Sequence, residues 1–128
     1  MDSARTKRRI LVVDDDEDLR ETICDALALA GHDTVGVADG RAALTLLRAR
    51  RFELIVTDLR MPGMNGWELL AALQADGRLR RIPVCVISAE ADVPARATRC
   101  IRKPFELVSI VQLIDEVFAR ASEHRCAA

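Results

Sequence analysis

Short apolar runs alternate along this chain with longer stretches whose apolar residues recur every three or four positions, the periodicities of strands and amphipathic helices. Strands are predicted at residues 10–13, 34–37, 54–57 and 84–87, with a weaker one at 99–102. They are short and rich in Val and Ile, as strands covered on both faces should be. Alternating strands and helices imply a parallel sheet with right-handed crossovers. Helices then lie on both faces, and functional residues gather beyond the carboxyl ends of the strands.

The helices carry their own signals. Asp18 and Glu21 have capping-box spacing, Leu19, Ile23 and Leu27 repeat every four residues, and Gly31 closes the segment. Asp39 can cap a helix bearing Ala43, Leu46 and Leu47, and Asn65 with Glu68 brackets the start of one bearing Leu69, Leu70 and Leu73. After Pro104, the positions Leu107, Ile110, Val111, Ile114, Val117 and Phe118 trace the apolar stripe of a last helix. Trp67 and Phe105 read as packing residues. No repeat, low-complexity tract or linker interrupts the pattern, and 128 residues suit one domain. Its expected limits are 9–122, between a flexible tail at 1–8 and a C-terminal tail at 123–128.

Composition narrows the classes. With 19 basic and 20 acidic side chains the formal charge is -1, so no broad field attracts nucleic acid or an anionic membrane, and neither is expected as a direct partner. The basic run Lys7, Arg8, Arg9 reads as a solvated terminus. Cys24, Cys85, Cys100 and Cys126 show no C-x-x-C spacing, as expected of reduced thiols in a cytoplasmic protein. The apolar run at 10–13 is far too short for a signal segment or membrane span.

Chemistry gathers at the strand ends. The first strand runs into Asp14, Asp15 and Asp16 and the third into Asp58. One such Asp is ordinarily a helix cap, a role open to Asp16 or Asp18. Several carboxylates on one spot repel one another unless a hard dication supplies the counter-charge, so the cluster points to a metal site. The fourth strand ends at Ser88, a hydroxyl donor, and the fifth at Lys103, a point positive charge. Singly, these read as a turn former and a solvated lysine; together they share one sheet edge with the acids.

Through Val-Val-Asp14-Asp15, Asp58-Leu-Arg-Met-Pro-Gly-Met-Asn-Gly66, Val-Ile-Ser88-Ala and Lys103-Pro-Phe105, residues 8–122 resemble the receiver domains of two-component response regulators. The resemblance implies a flavodoxin-like, doubly wound α/β fold with five parallel strands in the order 2-1-3-4-5, the order that general descriptions of this fold illustrate with a member of the same family. It implies a phosphoacceptor signalling domain, not an enzyme with a separate substrate, beyond assisting its own phosphorylation and slow autodephosphorylation. Asp58 accepts a phosphoryl group from a sensor histidine kinase or histidine phosphotransfer protein. Asp14, Asp15, Asp58 and the backbone carbonyl of Arg60 hold Mg²⁺ or Mn²⁺, Lys103 offsets phosphoryl charge, and Ser88 moves toward the phosphoryl group as the switch. A downstream protein or fused output domain responds. Pro62 and Gly63 form a turn, and the peptide bond before Pro104 is expected to be cis.

The chain departs from that family in two places. Cys100 stands where a switch Tyr or Phe is usual. The segment between Ser88 and Lys103 is roughly two helical turns short and contains Pro94, so the fourth helix is expected to be shortened or missing. Arg60 and Glu90 occupy positions that tune acyl-phosphate hydrolysis and are expected to pair across the site mouth. Three competing readings remain. A receiver that docks partners without phosphorylation fits the short fourth segment but not the intact acid set. A magnesium-dependent phosphohydrolase of the haloacid dehalogenase type would use Asp14 as nucleophile but normally carries further late acids. A flavodoxin needs stacking aromatics, whereas this chain has no Tyr and 3% aromatic residues.

Overall fold

The computed structural model describes residues 7–89 and 94–127, with side chains described as far as residue 120. The strands are β1 (Arg9–Val13), β2 (Asp33–Val37), β3 (Leu54–Asp58), β4 (Val84–Ser88) and β5 (Arg99–Arg102). The helices are α1 (Glu17–Leu29), α2 (Gly40–Ala49), α3 (Gly66–Gln74) and α4 (Leu107–Ala127). All strand pairs are parallel, in the order β2-β1-β3-β4-β5. The doubly wound fold expected from the sequence is therefore the one observed. The backbone of α4 continues past residue 122.

Alternation along the strands builds two cores. Leu11, Val13, Ile55, Val84 and Val86 face α2 and α3, where Leu47, Leu69, Leu70 and Leu73 cover them. Ile10, Val12, Leu54, Val56, Cys85 and Ile87 face Ile23 and Leu27 of α1 and Ile110, Ile114, Val117 and Phe118 of α4. The central strands β3 and β4 are buried at every residue, whereas the outer strands β2 and β5 are not. Each fully buried Leu or Ile contributes about 1.5–3 kcal/mol, and the three described cysteines, Cys24, Cys85 and Cys100, are free thiols.

The caps place the helix starts. Asp39 accepts from the amide of Ala42 at 2.8 Å. Asn65 and Glu68 form the expected capping box, at 2.9 and 3.0 Å. The cap of α1 needs correction: Asp16, not Asp18, is the N-cap, accepting from the amide of Leu19 at 3.2 Å, and Asp18 lies inside the first turn. The reason is that Asp14 takes the amide of Asp16 at 2.9 Å, so the chain turns into the helix two residues early. Trp67 also departs from its reading as a packing residue, being 40% exposed. It sits in the first turn of α3, off the Leu69–Leu70–Leu73 stripe. Phe105 does pack, against the α1/α4 core.

Among the described residues no helix stands between β4 and β5. The chain returns through a turn in which the amide of Ala97 donates to Pro94 (3.0 Å), the amide of Thr98 donates to Val84 (2.8 Å), and the hydroxyl of Thr98 accepts from the amide of Val84 (3.1 Å). The Lys103–Pro104 bond is cis. No helix among the described residues is long and apolar enough to cross a membrane.

Candidate functional site

A parallel sheet brings the carboxyl ends of its strands to one edge, and register decides how closely they meet. Val13 pairs with Thr57, Asp58 with Ile87 and Ser88 with Arg102, so Asp14, Asp58, Ser88 and Lys103 emerge at nearly one level. The backbone amide of Lys103 donates to the carbonyl of Ser88 at 3.0 Å, carrying the β4–β5 pairing one residue further.

Asp58 is held from two sides. One carboxylate oxygen accepts from the amides of Leu59 at 2.6 Å and Arg60 at 3.3 Å, and the other accepts from Nζ of Lys103 at 2.8 Å. Asp58 and Asp14 are both buried, and Asp15 is exposed. Asp14 is anchored by its backbone, its amide donating to Val37 (3.1 Å) and its carbonyl accepting from the Arg20 guanidinium (2.8 Å). Neither Arg20 nor Thr57, whose buried hydroxyl donates to the Asp58 carbonyl at 2.8 Å, stood out in the sequence. Gly66 is required by close approach, because a Cβ there would run into the carbonyl oxygen of Asp58 and lie 2.8 Å from Cα of Leu59. Gly63 supports the preceding turn with φ 70°.

The electrostatics follow from this crowding. Burial raises the Asp14 carboxyl above its ordinary value; the amide of Asp16 and the Lys103 charge work against that, and the Asp58 and Asp15 charges add to it. Burial alone would lower Lys103, but its hydrogen bond to Asp58 and the charges of Asp58, Asp14 and Asp16 outweigh it, and the ammonium is held more tightly protonated than usual. Carboxylate oxygens of Asp14, Asp15 and Asp58 lie within 4.8 Å of one another. Three hard, anionic oxygen donors at that spacing, one of them exposed, suit a small dication that keeps some water. The donor set thus fits the metal that the sequence implied. Beside it lies a cavity of about 420 Å³ lined by Asp15, Leu59, Arg60, Met61, Pro62, Asn65 and Trp67.

The other predicted residues divide. Ser88 is buried at the same edge, 1% exposed. Arg60 is exposed beside Asp58. Cys100 lies exposed on β5, paired with Val86 and three residues short of Lys103. Glu90, and with it the expected pairing with Arg60, lies outside the described residues.

Comparison with known proteins agrees with this geometry. The response regulator receiver domain family matches residues 10–115. Chemotaxis protein CheY of Pseudomonas aeruginosa is 35% identical, over 89% of this chain and 98% of that protein. DNA-binding response regulator MtrA of Mycobacterium tuberculosis is 37% identical over 87% of this chain, which spans 50% of that longer protein. Among solved structures, chemotaxis response regulator CheY4 of Vibrio cholerae superposes with a TM-score of 0.80 at 28% identity, covering 88% of this chain and 99% of that one.

Proposed function

This chain belongs to the response regulator receiver domain family, and on that premise we propose that Asp58 is its phosphoacceptor, with a phosphohistidine on a sensor histidine kinase or phosphotransfer protein as donor. The carrying observation is the Asp58 carboxylate, held 2.8 Å from Lys103 inside a three-carboxylate cluster. In the transfer, an oxygen of Asp58 forms a bond to phosphorus as the phosphorus–nitrogen bond to the donor imidazole breaks, and the imidazole leaves with the electron pair. Asp14, Asp15, Asp58 and the Arg60 carbonyl would hold Mg²⁺ or Mn²⁺, which when bound offsets negative charge on the phosphoryl oxygens.

This chain's own groups do the positioning. The amides of Leu59 and Arg60 fix the carboxylate, and the Lys103 ammonium, tightly protonated, stays cationic through the transfer. Once Asp58 carries the phosphoryl group its link to Lys103 must be remade toward phosphoryl oxygens, and the buried Ser88 hydroxyl is the neutral donor nearest in strand order. That exchange supplies the few kcal/mol needed to bias a two-state surface. Arg60 and Glu90 tune the lifetime of the acyl phosphate by hindering water. Unchanged decay in the Arg60→Ala, Glu90→Ala double variant would refute that role. On this reading the domain works in the cytoplasm, on a downstream protein or a linked output domain, and through a surface altered where the fourth helix is usual. Hydrogen exchange that reproduced an ordinary fourth-helix response on phosphorylation would count against the altered surface.

The direct test is incubation with Mg²⁺ and a small acyl phosphate, followed by intact mass. The expected result is one acid-labile acyl phosphoryl group on Asp58, absent from Asp58→Asn and from protein in chelator. A phosphoryl group on Asp14, or none at all, would overturn the assignment.

A further inference from the structure

The total charge of -1 conceals a strong segregation. At the carboxyl ends of the strands stand Asp14, Asp15, Asp16, Glu17 and Asp18. At the opposite pole, about 15 Å away along five-residue strands, the chain carries Arg48, Arg50 and Arg51 after α2 and Arg78, Arg80 and Arg81 ahead of β4, all exposed. These two groups are one surface. The Arg78 guanidinium donates to the carbonyl of Leu47 at 2.7 Å, tying the second group to the end of α2, and Arg96 donates to the carbonyl of Arg80 at 3.2 Å, extending the patch toward β5.

The local acids offset it only in part: the amides of Leu79 and Arg78 lower the Asp76 carboxyl first, and the charges of Arg78 and Arg48 add to that. Asp76 spends its carboxylate on the amides of Arg78 and Leu79 at 2.9 and 3.0 Å, and Glu53 accepts from the amide of Arg9. Among the described residues, none of these arginines forms an ion pair with a carboxylate. A row of exposed guanidinium groups that outnumber their neighbouring acids projects a positive local field that an anionic ligand can use.

We propose that this arginine pole binds the phosphate backbone of a nucleic-acid duplex without sequence preference. The apolar side chains beneath the patch, Phe52 and Leu79, are buried at 5% and 1% exposure. The patch therefore lacks the aromatic or aliphatic anchor on which a protein partner's binding energy concentrates. A polyanion needs no such anchor, since its affinity comes from released counterions, and guanidinium forks match phosphate oxygens. With no exposed aromatic in the patch, unstacked bases find no platform, which favours the duplex over a single strand. The acidic pole is repelled by the same ligand. Binding therefore turns the Asp58 edge outward and leaves it accessible.

The test is fluorescence anisotropy of the whole chain with a labelled duplex of about 20 base pairs, from about 50 to 200 mM salt. Binding should weaken steeply with salt, each phosphate contact contributing about 0.9 to the slope of log affinity against log salt. The Arg50→Gln, Arg51→Gln, Arg80→Gln, Arg81→Gln variant should lose at least about tenfold in affinity and about 3–4 in slope, while circular dichroism melting shows it still folded. Arg41→Gln, Arg102→Gln, which removes exposed charge elsewhere, should bind as the wild type does. Absence of duplex binding at the lowest salt, equal loss in both variants, or capture of polyglutamate but not of the duplex would overturn the proposal, the last in favour of an acidic protein partner.

Discussion

Replacing Asp14 by Asn should stabilise the metal-free protein, although it removes a member of the site. Asp14 is 2% exposed, and its carboxylate lies within 4.8 Å of that of Asp58. Two unit charges at that separation repel by about 3.5 kcal/mol at an effective dielectric constant near 20. The Lys103 charge and dissolved salt return part of this, leaving a gain of about 1–2 kcal/mol for Asp14→Asn. The amide side chain has the same size and keeps an oxygen for the Asp16 amide, now accepted at 2.9 Å, so no packing or hydrogen bond is lost.

The pH dependence has a definite sign. Burial first, then the Asp58 and Asp15 charges, raise the folded Asp14 carboxyl above its ordinary 3.8. Between the unfolded and folded values the native state holds a proton that the unfolded chain has released, so stability falls as pH rises through that window. The advantage of Asp14→Asn should be near zero below the ordinary carboxylate value and reach its full size above the raised one. Urea unfolding in chelator across that range reads it directly. Added Mg²⁺ should narrow or reverse the order, because a ligand of the folded state stabilises most the chain that binds it best. A difference flat with pH, or a wild type that is the more stable of the two in chelator at neutral pH, would refute the reasoning.

Other consequences follow from single side chains. Gly66→Ala forces a Cβ against the backbone of Asp58 and Leu59, which cannot move aside; it should cost about 3 kcal/mol, and a urea midpoint near wild type would contradict this. Ser88→Ala removes a buried hydroxyl at a cost of about 1 kcal/mol. It should leave acyl-phosphate formation intact while suppressing the hydrogen-exchange response to it; a full response would clear Ser88 of the switch. With a thiol alkylating agent at mildly alkaline pH, the exposed Cys100 should react well before Cys85, whose thiol burial pushes up to about 12. Peptide masses that show Cys85 modified in the native protein would contradict the packing of β4 against α4.

The convergence of Asp58, Ser88 and Lys103 was legible because a parallel sheet makes every strand end equivalent, so finding the strands finds the edge. The start of α1 was not. Asp14, Asp15, Asp16 and Asp18 are all competent caps, and only the bond from Asp14 to the Asp16 amide, a product of the folded turn, selects among them. Trp67 misled because an aromatic residue carries no mark of which face it occupies. The arginine pole escaped because net charge sums over the chain. Residues 48–51 and 78–81 become one surface only once Arg78 reaches Leu47.

The two departures from family pattern, a cysteine for an aromatic and a β4–β5 crossover with no helix among the described residues, fit one physical picture. On β5, Ile101 packs into the α1/α4 core and Arg99 pairs with Glu116 of α4 at 3.3 Å, so one face of the strand is covered. Cys100 and Arg102 occupy the other face, where the crossover from β4 would ordinarily lay a helix, and both are exposed. An aromatic at position 100 would have little to bury its ring against, and burial against a neighbouring element is what gives such a ring two distinct positions. With no helix among the described residues over this face, an aromatic gate has little basis, and a small side chain suits an exposed edge-strand position. The Pro94–Thr98 turn, fastened by its bonds to Val84 to the strand that ends at Ser88, is then one route by which a shift at Ser88 reaches this face.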